Sequence, residues 1–303
     1  MAKSGPPARF QEFEVRYRPI LASTRTSTSP PNTTTNANNM PFDIHQETTM
    51  LPTRISISAN GVATVTIEGG GPLNIISSAT ALGMATQLRE LAKNPEVRAV
   101  VIAGSGEKTF VGGADIKELA KLTPQSARVF ISALHELCEA ARDLPVPTIC
   151  ALQGWCIGVG LELAASCDIR LAADTAKFVM PEVKIGIPSV IQGAFLSRLI
   201  GEGRARWMMI TGEHIDAEKA EQWGLVTEVV PHADLATTAK QMAASIAELS
   251  ATGMRAQKRV LRTSEVPHLD SAMQHSIEIF GAAYESDDPA HAMAEFLSKK
   301  SRS

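Results

Sequence analysis

Three short apolar runs constrain this chain more than any other feature: Val97–Ala103 (VRAVVIA), Val146–Leu152 (VPTICAL) and Asp168–Ala172 (DIRLA). The first two are apolar almost throughout, without the alternation of a half-solvated strand. A strand reads that way when both its faces are buried, which is the pattern of a parallel sheet with helices on either side. The connections fit. Phe110-Val-Gly-Gly113 precedes a helix opening at Ala114-Asp115-Ile116-Lys117, and a long amphipathic helix follows through Leu144, closed by Pro145-Val-Pro147. Gly158-Val-Gly160 leads into a second helix, Leu161–Ser166. Strand, glycine loop, helix and strand in repetition predict a layered α/β fold.

Flanking segments extend the pattern. Arg54–Glu68 alternates apolar and polar residues around Asn60-Gly61 and predicts a β-hairpin. Ala81–Lys93 has helical spacing and stops at Asn94-Pro95. Beyond Ile200-Gly-Glu-Gly203 the chain becomes alanine-rich and largely helical, with a short Leu225–Val230 segment and breaks at Pro267 and Pro289. The expected organisation is a disordered extension over residues 1–52, a core over 53–200 and a helical region over 201–303. Ala22–Asn39 is almost entirely Ser, Thr, Asn and Pro, a composition that cannot nucleate a core. Five basic residues to two acidic ones before residue 41 loosely resemble a mitochondrial presequence, but Glu12 and Glu14 interrupt it. The terminal Ser-Arg-Ser is not a standard peroxisomal signal.

A net charge of −3 with singly scattered basic residues points to neither a nucleic-acid nor a membrane-surface partner. No apolar run is long enough for a membrane-spanning helix. Cys138, Cys150, Cys156 and Cys167 lie in mostly apolar context without a C-x-x-C pair. They read as reduced, buried thiols of an intracellular protein, mitochondrial or cytosolic, and argue against zinc. No metal site and no separate cofactor are expected.

The chemistry centres on Glu162 and Glu182, two carboxylates in the most apolar third of the chain, each just after a turn marked by glycine or proline. The plainer reading is two unrelated solvated side chains. Placed together away from water, they would push their pKa values apart, leaving one as base and one as acid. The two glycine loops add backbone N–H groups at helix starts. Two such groups converging on one carbonyl oxygen would make an oxyanion hole, unless the glycines serve only tight turns. A dinucleotide fingerprint at Gly158-Val-Gly160 fails at its third glycine, where Leu163 stands. His135 and His214 have no obvious nucleophile partner and read as surface or satisfied histidines. Trp155 and Trp223 read as core or pocket wall.

Ordered blocks now carry a resemblance: Phe110-Val-Gly-Gly-Ala-Asp-Ile-Lys-Glu118, Pro147–Gly154, Gly158-Val-Gly-Leu-Glu-Leu-Ala164, Cys167-Asp-Ile-Arg170, Met180-Pro-Glu182, Arg198-Leu-Ile-Gly201, Thr211-Gly-Glu213 and Ala220–Val226. From about residue 55 to 300 the chain resembles the enoyl-CoA hydratase/isomerase (crotonase) family. That resemblance implies a spiral of ββα turns with a helical C-terminal region that builds a homotrimer, often a hexamer. It implies a coenzyme A thioester as substrate, its oxygen held by the N–H groups of Ala114 and Val159. The catalytic carboxylates fall on Glu162 and Glu182, and having both favours hydration of a trans-2-enoyl-CoA over isomerisation. Leu73, Asn74, Gly112, Ile116, Trp155 and Pro181 fall at substrate-binding positions. Two departures concern the acyl group: Val159 replaces the middle glycine of a Gly-Gly-Gly run, and the Gly186–Phe195 loop is apolar and poorer in glycine. Δ3,Δ2-Enoyl-CoA isomerase or other enolate chemistry is the alternative, and a non-catalytic acyl-CoA-binding scaffold the more distant one.

Overall fold

The structure, a computed structural model, describes residues 52–69, 71–263 and separate residues between 273 and 298. The expected extension, Pro52 apart, lies outside the described residues, as do the breaks at Pro267 and most of the last forty positions.

Strands β1 (Thr53–Ile57) and β2 (Val62–Ile67) form the hairpin, pairing antiparallel with Ile57 opposite Ala63. Gly61 takes φ +82° at the turn. Helix α1 (Ser78–Ala92) begins three residues before its predicted start, because Ser77 caps it by accepting from the Thr80 N–H. It leads to β3 (Ala99–Gly104) and β4 (Thr109–Val111). The stretch to Leu144 holds a short α2 (Ile116–Leu119) and a long α3 (Pro124–Arg142). Thr123 and Ser126 form a capping box with Pro124 at the first helical position, so a new helix starts there.

Next come β5 (Thr148–Leu152), β6 (Trp155–Ile157), α4 (Val159–Ala165), β7 (Ile169–Ala173) and β8 (Lys177–Val179). The remaining elements are α5 (Leu196–Ile200), α6 (Glu202–Thr211), β9 (Ile215–Asp216), α7 (Ala217–Trp223), β10 (Glu228–Val230), α8 (Leu235–Ala247) and α9 (Ala251–Thr263).

Two sheets result. The larger has the order β1-β2-β3-β5-β7-β10 and is parallel from β2 onward. The smaller has the order β4-β6-β8-β9, parallel except for its last pair. After β3, β5 and β7 the chain crosses to the smaller sheet for β4, β6 and β8, so each repeat gives one strand to each. At one crossing Gly154 takes φ +55°, and a Cβ there would collide with the main chain of Lys108.

The alternating faces of the larger sheet explain the apolar runs. Val100 and Ile102 of β3, with Cys150 and Leu152 of β5, join the main core beside α1 and α3. Their neighbours Ala99, Val101, Ile149 and Ala151 face the other way, against Ala239 and Ala243 of α8. Residues beyond 201 therefore complete the core: α8 covers one sheet face, β9 ends the smaller sheet and β10 ends the larger.

Candidate active site

The two glycine loops meet at one cavity. Strand β6 ends at Ile157 and the chain reverses at Gly158, with φ 51° and ψ −115°. An L side chain rarely adopts that conformation, and a Cβ at Gly158 would strike Oε1 of Glu182. The Gly158 N–H stays on the Val179 carbonyl at 3.0 Å, while its own carbonyl accepts from Leu161 and Glu162. Helix α4 thus opens at Val159, whose N–H has no intrahelical acceptor and takes none among the described residues.

The loop after β4 is tied down by Ile76, which donates to the Gly113 carbonyl and accepts from the Asp115 N–H, both at 2.9 Å. That bridge skips Ala114, whose N–H also takes no acceptor among the described residues. Gly160 lets α4 lie directly on β4, since a Cβ there would come within 2.9 Å of the Val111 carbonyl oxygen. The Ala114 and Val159 positions accordingly line the same cavity.

Glu162 follows Val159 by three residues, about one helical turn, and is 5% exposed. Its Oε1 accepts from the Gly193 N–H at 3.1 Å. Burial raises its carboxyl well above the usual range, the nearby Glu182 charge raises it further, and the Gly193 hydrogen bond opposes both. Half-buried Glu182 opens the 3₁₀ turn Glu182–Ile185 and accepts from Ser189 Oγ at 2.6 Å. Burial raises its carboxyl too, against that bond.

The cavity has a volume of about 740 Å³. Leu73 (41% exposed), Gly112, Ile116 and Pro181 line it with the two glutamates. Apolar side chains from α3 (Phe130, Ile131, Leu134) and from the loop after Glu182 (Ile187, Val190) form much of the remaining wall. Two sequence-predicted residues lie elsewhere. Asn74 is fully buried at φ 49°, its Nδ2 facing the carbonyls of Ser105, Thr109 and Phe110 at 3.0–3.1 Å. Its position underpins the Leu73 carbonyl, which accepts from the Gly112 N–H at 2.8 Å. Trp155 lies on β6 outside the cavity lining, edge-on to His214 and beneath Lys177.

The cavity thus presents two N–H groups that take no acceptor among the described residues, beside two carboxyls raised by burial. Residues 58–303 match the profile of the Enoyl-CoA hydratase/isomerase family. The chain belongs to that family. A short-chain-enoyl-CoA hydratase of Clostridium acetobutylicum is 35% identical over 240 residues, covering 79% of this chain and 92% of the relative. A crotonyl-CoA hydratase of Syntrophomonas wolfei is 32% identical over 229 residues, covering 75% and 88%. The crystal structure of an enoyl-CoA hydratase from Mycobacterium avium subsp. paratuberculosis superimposes with a TM-score of 0.72 at 28% identity, covering 82% of this chain and 96% of that one. The enzyme class and the α/β fold with its parallel sheet follow from these matches.

Sequence reading missed the groups that hold this family member's carboxylates. Ser189 and Gly193 sit in the apolar loop, and nothing in their composition signals an acidic partner. Behind them Gln192 is fully buried, donating to Glu139 Oε1 at 2.8 Å and lying 3.0 Å from Nδ1 of buried His135. His135 is thus a satisfied core histidine. The adjoining Ile191 takes φ +41°, a costly conformation for a β-branched residue. The Gln192 hydrogen bonds pin the turn that aims the Gly193 N–H at Glu162.

Among the described residues no His/Cys/Asp/Glu cluster is arranged to hold a metal, and no helix is long and apolar enough to cross a membrane.

Proposed function

We propose that this site adds water across the double bond of a trans-2-enoyl-CoA thioester. The observation that carries the reading is the pairing of Glu162 and Glu182, both raised by burial, on a cavity wall that also presents the N–H groups of Ala114 and Val159, which take no acceptor among the described residues. With the thioester oxygen against those two N–H groups, the carbonyl is polarised and Cβ becomes electrophilic. A water between the carboxyls gives its proton to Glu162 and attacks Cβ. Glu182 delivers a proton to Cα as the enolate collapses, and the pair then exchanges one proton to regain its starting state.

A base is most effective when its pKa lies near the working pH, so a carboxyl raised by burial suits the task. Acid–base catalysis of this kind contributes roughly 10²–10⁴-fold and an oxyanion donor about 10²–10³-fold. The two glutamates titrate as a pair, and the division of base and acid between them is part of the proposal. The apolar wall from α3 and the 187–190 segment favours a hydrocarbon acyl group over a charged one. A homotrimer or hexamer is the assembly proposed with this reading.

The test is a panel of crotonyl-, branched, medium- and long-chain enoyl-CoAs, followed by loss of the conjugated thioester absorbance, with Glu162→Gln and Glu182→Gln alongside. Turnover that collapses in both variants supports paired-carboxylate hydration. Turnover of 3-enoyl thioesters that persists in Glu162→Gln would instead indicate isomerisation. Sedimentation velocity reads the assembly state.

A further inference from the structure

A second cavity, of about 240 Å³, opens at the far end of α4, where Ala165, Ser166 and Cys167 form part of its wall. Its described lining includes the cationic residues Arg142, Arg170, Arg198, Lys258 and Arg262, with Asp168 as the carboxylate. Asp168 is already engaged, accepting from Lys258 Nζ at 2.5 Å and from the Thr148 N–H at 2.8 Å. Arg170 is held by backbone carbonyls, donating to Leu225 at 2.8 Å and to Cys167 at 2.7 Å. Arg142 and Arg262 pair with Glu139, and Arg262 also with Asp143, so cationic residues outnumber carboxylates around this cavity.

Cys167, 5% exposed, is the thiol on this wall. Fully buried Cys150, on β5 behind it, directs its S–H at Cys167 Sγ across 3.2 Å. The other two cysteines, Cys138 and Cys156, are fully buried and line neither cavity. The pair is chemically unequal. The Cys150 hydrogen bond lowers the Cys167 thiol, with Lys258 and Arg170 acting in the same direction against burial and Asp168. Burial and the same sulfur contact raise the Cys150 thiol. A thiol on the wall of a cation-lined cavity, in contact with a second thiol, is the arrangement of a reactive and a resolving cysteine.

We propose that Cys167 and Cys150 form an oxidisable dithiol, in which Cys167 reacts with a small peroxide entering the basic cavity and Cys150 closes the disulfide. The Cys167 thiolate attacks one peroxide oxygen and the O–O bond breaks. For hydrogen peroxide the leaving hydroxide takes up the thiol proton and departs as water, giving a sulfenic acid. Cys150 sulfur then attacks Cys167 sulfur, the S–O bond breaks, and the second hydroxide leaves as water with the Cys150 proton. Two thiols are oxidised by two electrons and one peroxide is reduced. Closing the bond brings the sulfurs from 3.2 Å to about 2.05 Å, a movement of roughly one ångström at the end of α4.

The experiment exposes the full, folded chain to hydrogen peroxide, quenches it, and measures intact mass and the digest without reductant. The expected result is a loss of about 2 Da, a single peptide link between Cys150 and Cys167, and full reversal by dithiothreitol. In Cys150→Ser the link is absent and Cys167 is trapped as a dimedone adduct; in Cys167→Ser, Cys150 stays reduced. A folded wild-type chain that keeps its unoxidised mass overturns the proposal. So does a link through Cys138 or Cys156, or oxidation that begins only once circular dichroism shows unfolding. The wild-type digest decides the matter even if a variant fails to fold. None of these readouts uses turnover, so the outcome is independent of the reaction at the thioester cavity.

Discussion

Replacing Gly158 by alanine tests the proposed site at its tightest point. Two costs are separable there. The first is backbone strain: at φ 51° and ψ −115° an L residue sits outside its ordinary regions, which costs about 1–3 kcal/mol. For a folded unit of this size that lowers the melting temperature by about 2–12 °C. The second is the collision of the new Cβ with Oε1 of Glu182, which lies well inside van der Waals contact. The carboxyl must move by about an ångström to clear it, and misplacement on that scale costs about 10²-fold in rate. Gly201→Ala separates the two effects. Gly201 also has positive φ, at +80°, but a Cβ there meets nothing within 4 Å. The expected outcome is a lowered melting temperature in both variants, and a roughly 10²-fold lower kcat/KM for enoyl-thioester hydration only in Gly158→Ala. If Gly158→Ala keeps wild-type kcat/KM, Glu182 is not held where the reaction needs it and the site reasoning fails.

Three further outcomes are expected. Asn74→Ala removes a buried amide facing three carbonyls and should cost about 1–3 kcal/mol, read from a urea melt; an unchanged midpoint would show that those carbonyls find other donors. Gln192→Leu takes a charge-assisted hydrogen bond from Glu139 and releases the turn carrying Gly193, so stability should fall by about 1.5–3 kcal/mol and kcat should fall with it; a stability loss with intact kcat would separate that turn from Glu162. The glutamates also carry a pH signature. Both carboxyls are raised in the fold, so the folded chain holds protons that the unfolded chain, with glutamate pKa about 4.3, has already released. Their contribution to stability is therefore fully present below about pH 4.3 and lost as pH climbs through the raised values. The Glu162→Gln/Glu182→Gln double variant should gain melting temperature relative to wild type between pH 4 and pH 8, and a pH-independent difference would contradict the burial seen here.

Much of this was legible because the fold writes itself into local pattern at particular places. The run VRAVVIA is apolar from Ala99 onward because α8 covers the face opposite α1 and α3. The hairpin announced itself through Asn60-Gly61, and the order of motifs around Glu162 and Glu182 carried the family. The smaller sheet left no comparable trace. Strands β4, β6 and β8 are three residues each, too short for periodicity to register. The break before α3 was hidden for another reason: apolar spacing runs through it while a Thr123–Ser126 cap interrupts the backbone. Partners across space were equally silent. Gly193 stands 31 residues from Glu162, and an N–H carries no side chain to read. Asn74 sits beside a cavity-lining residue in sequence, yet its amide points into the scaffold beneath.

The closing of both sheets by β9 and β10 bears on how the chain is made. Until residues 215–230 leave the ribosome, β7 and β8 each present a row of unpaired main-chain groups to any neighbouring strand. The face later covered by Ala239 and Ala243 is bare for longer still. Synthesis at about 5–20 residues per second thus leaves a nascent chain with complete motifs but open borders for several seconds. A product truncated before β9 would carry both glutamates and still be a substrate for chaperones and proteases rather than a smaller enzyme.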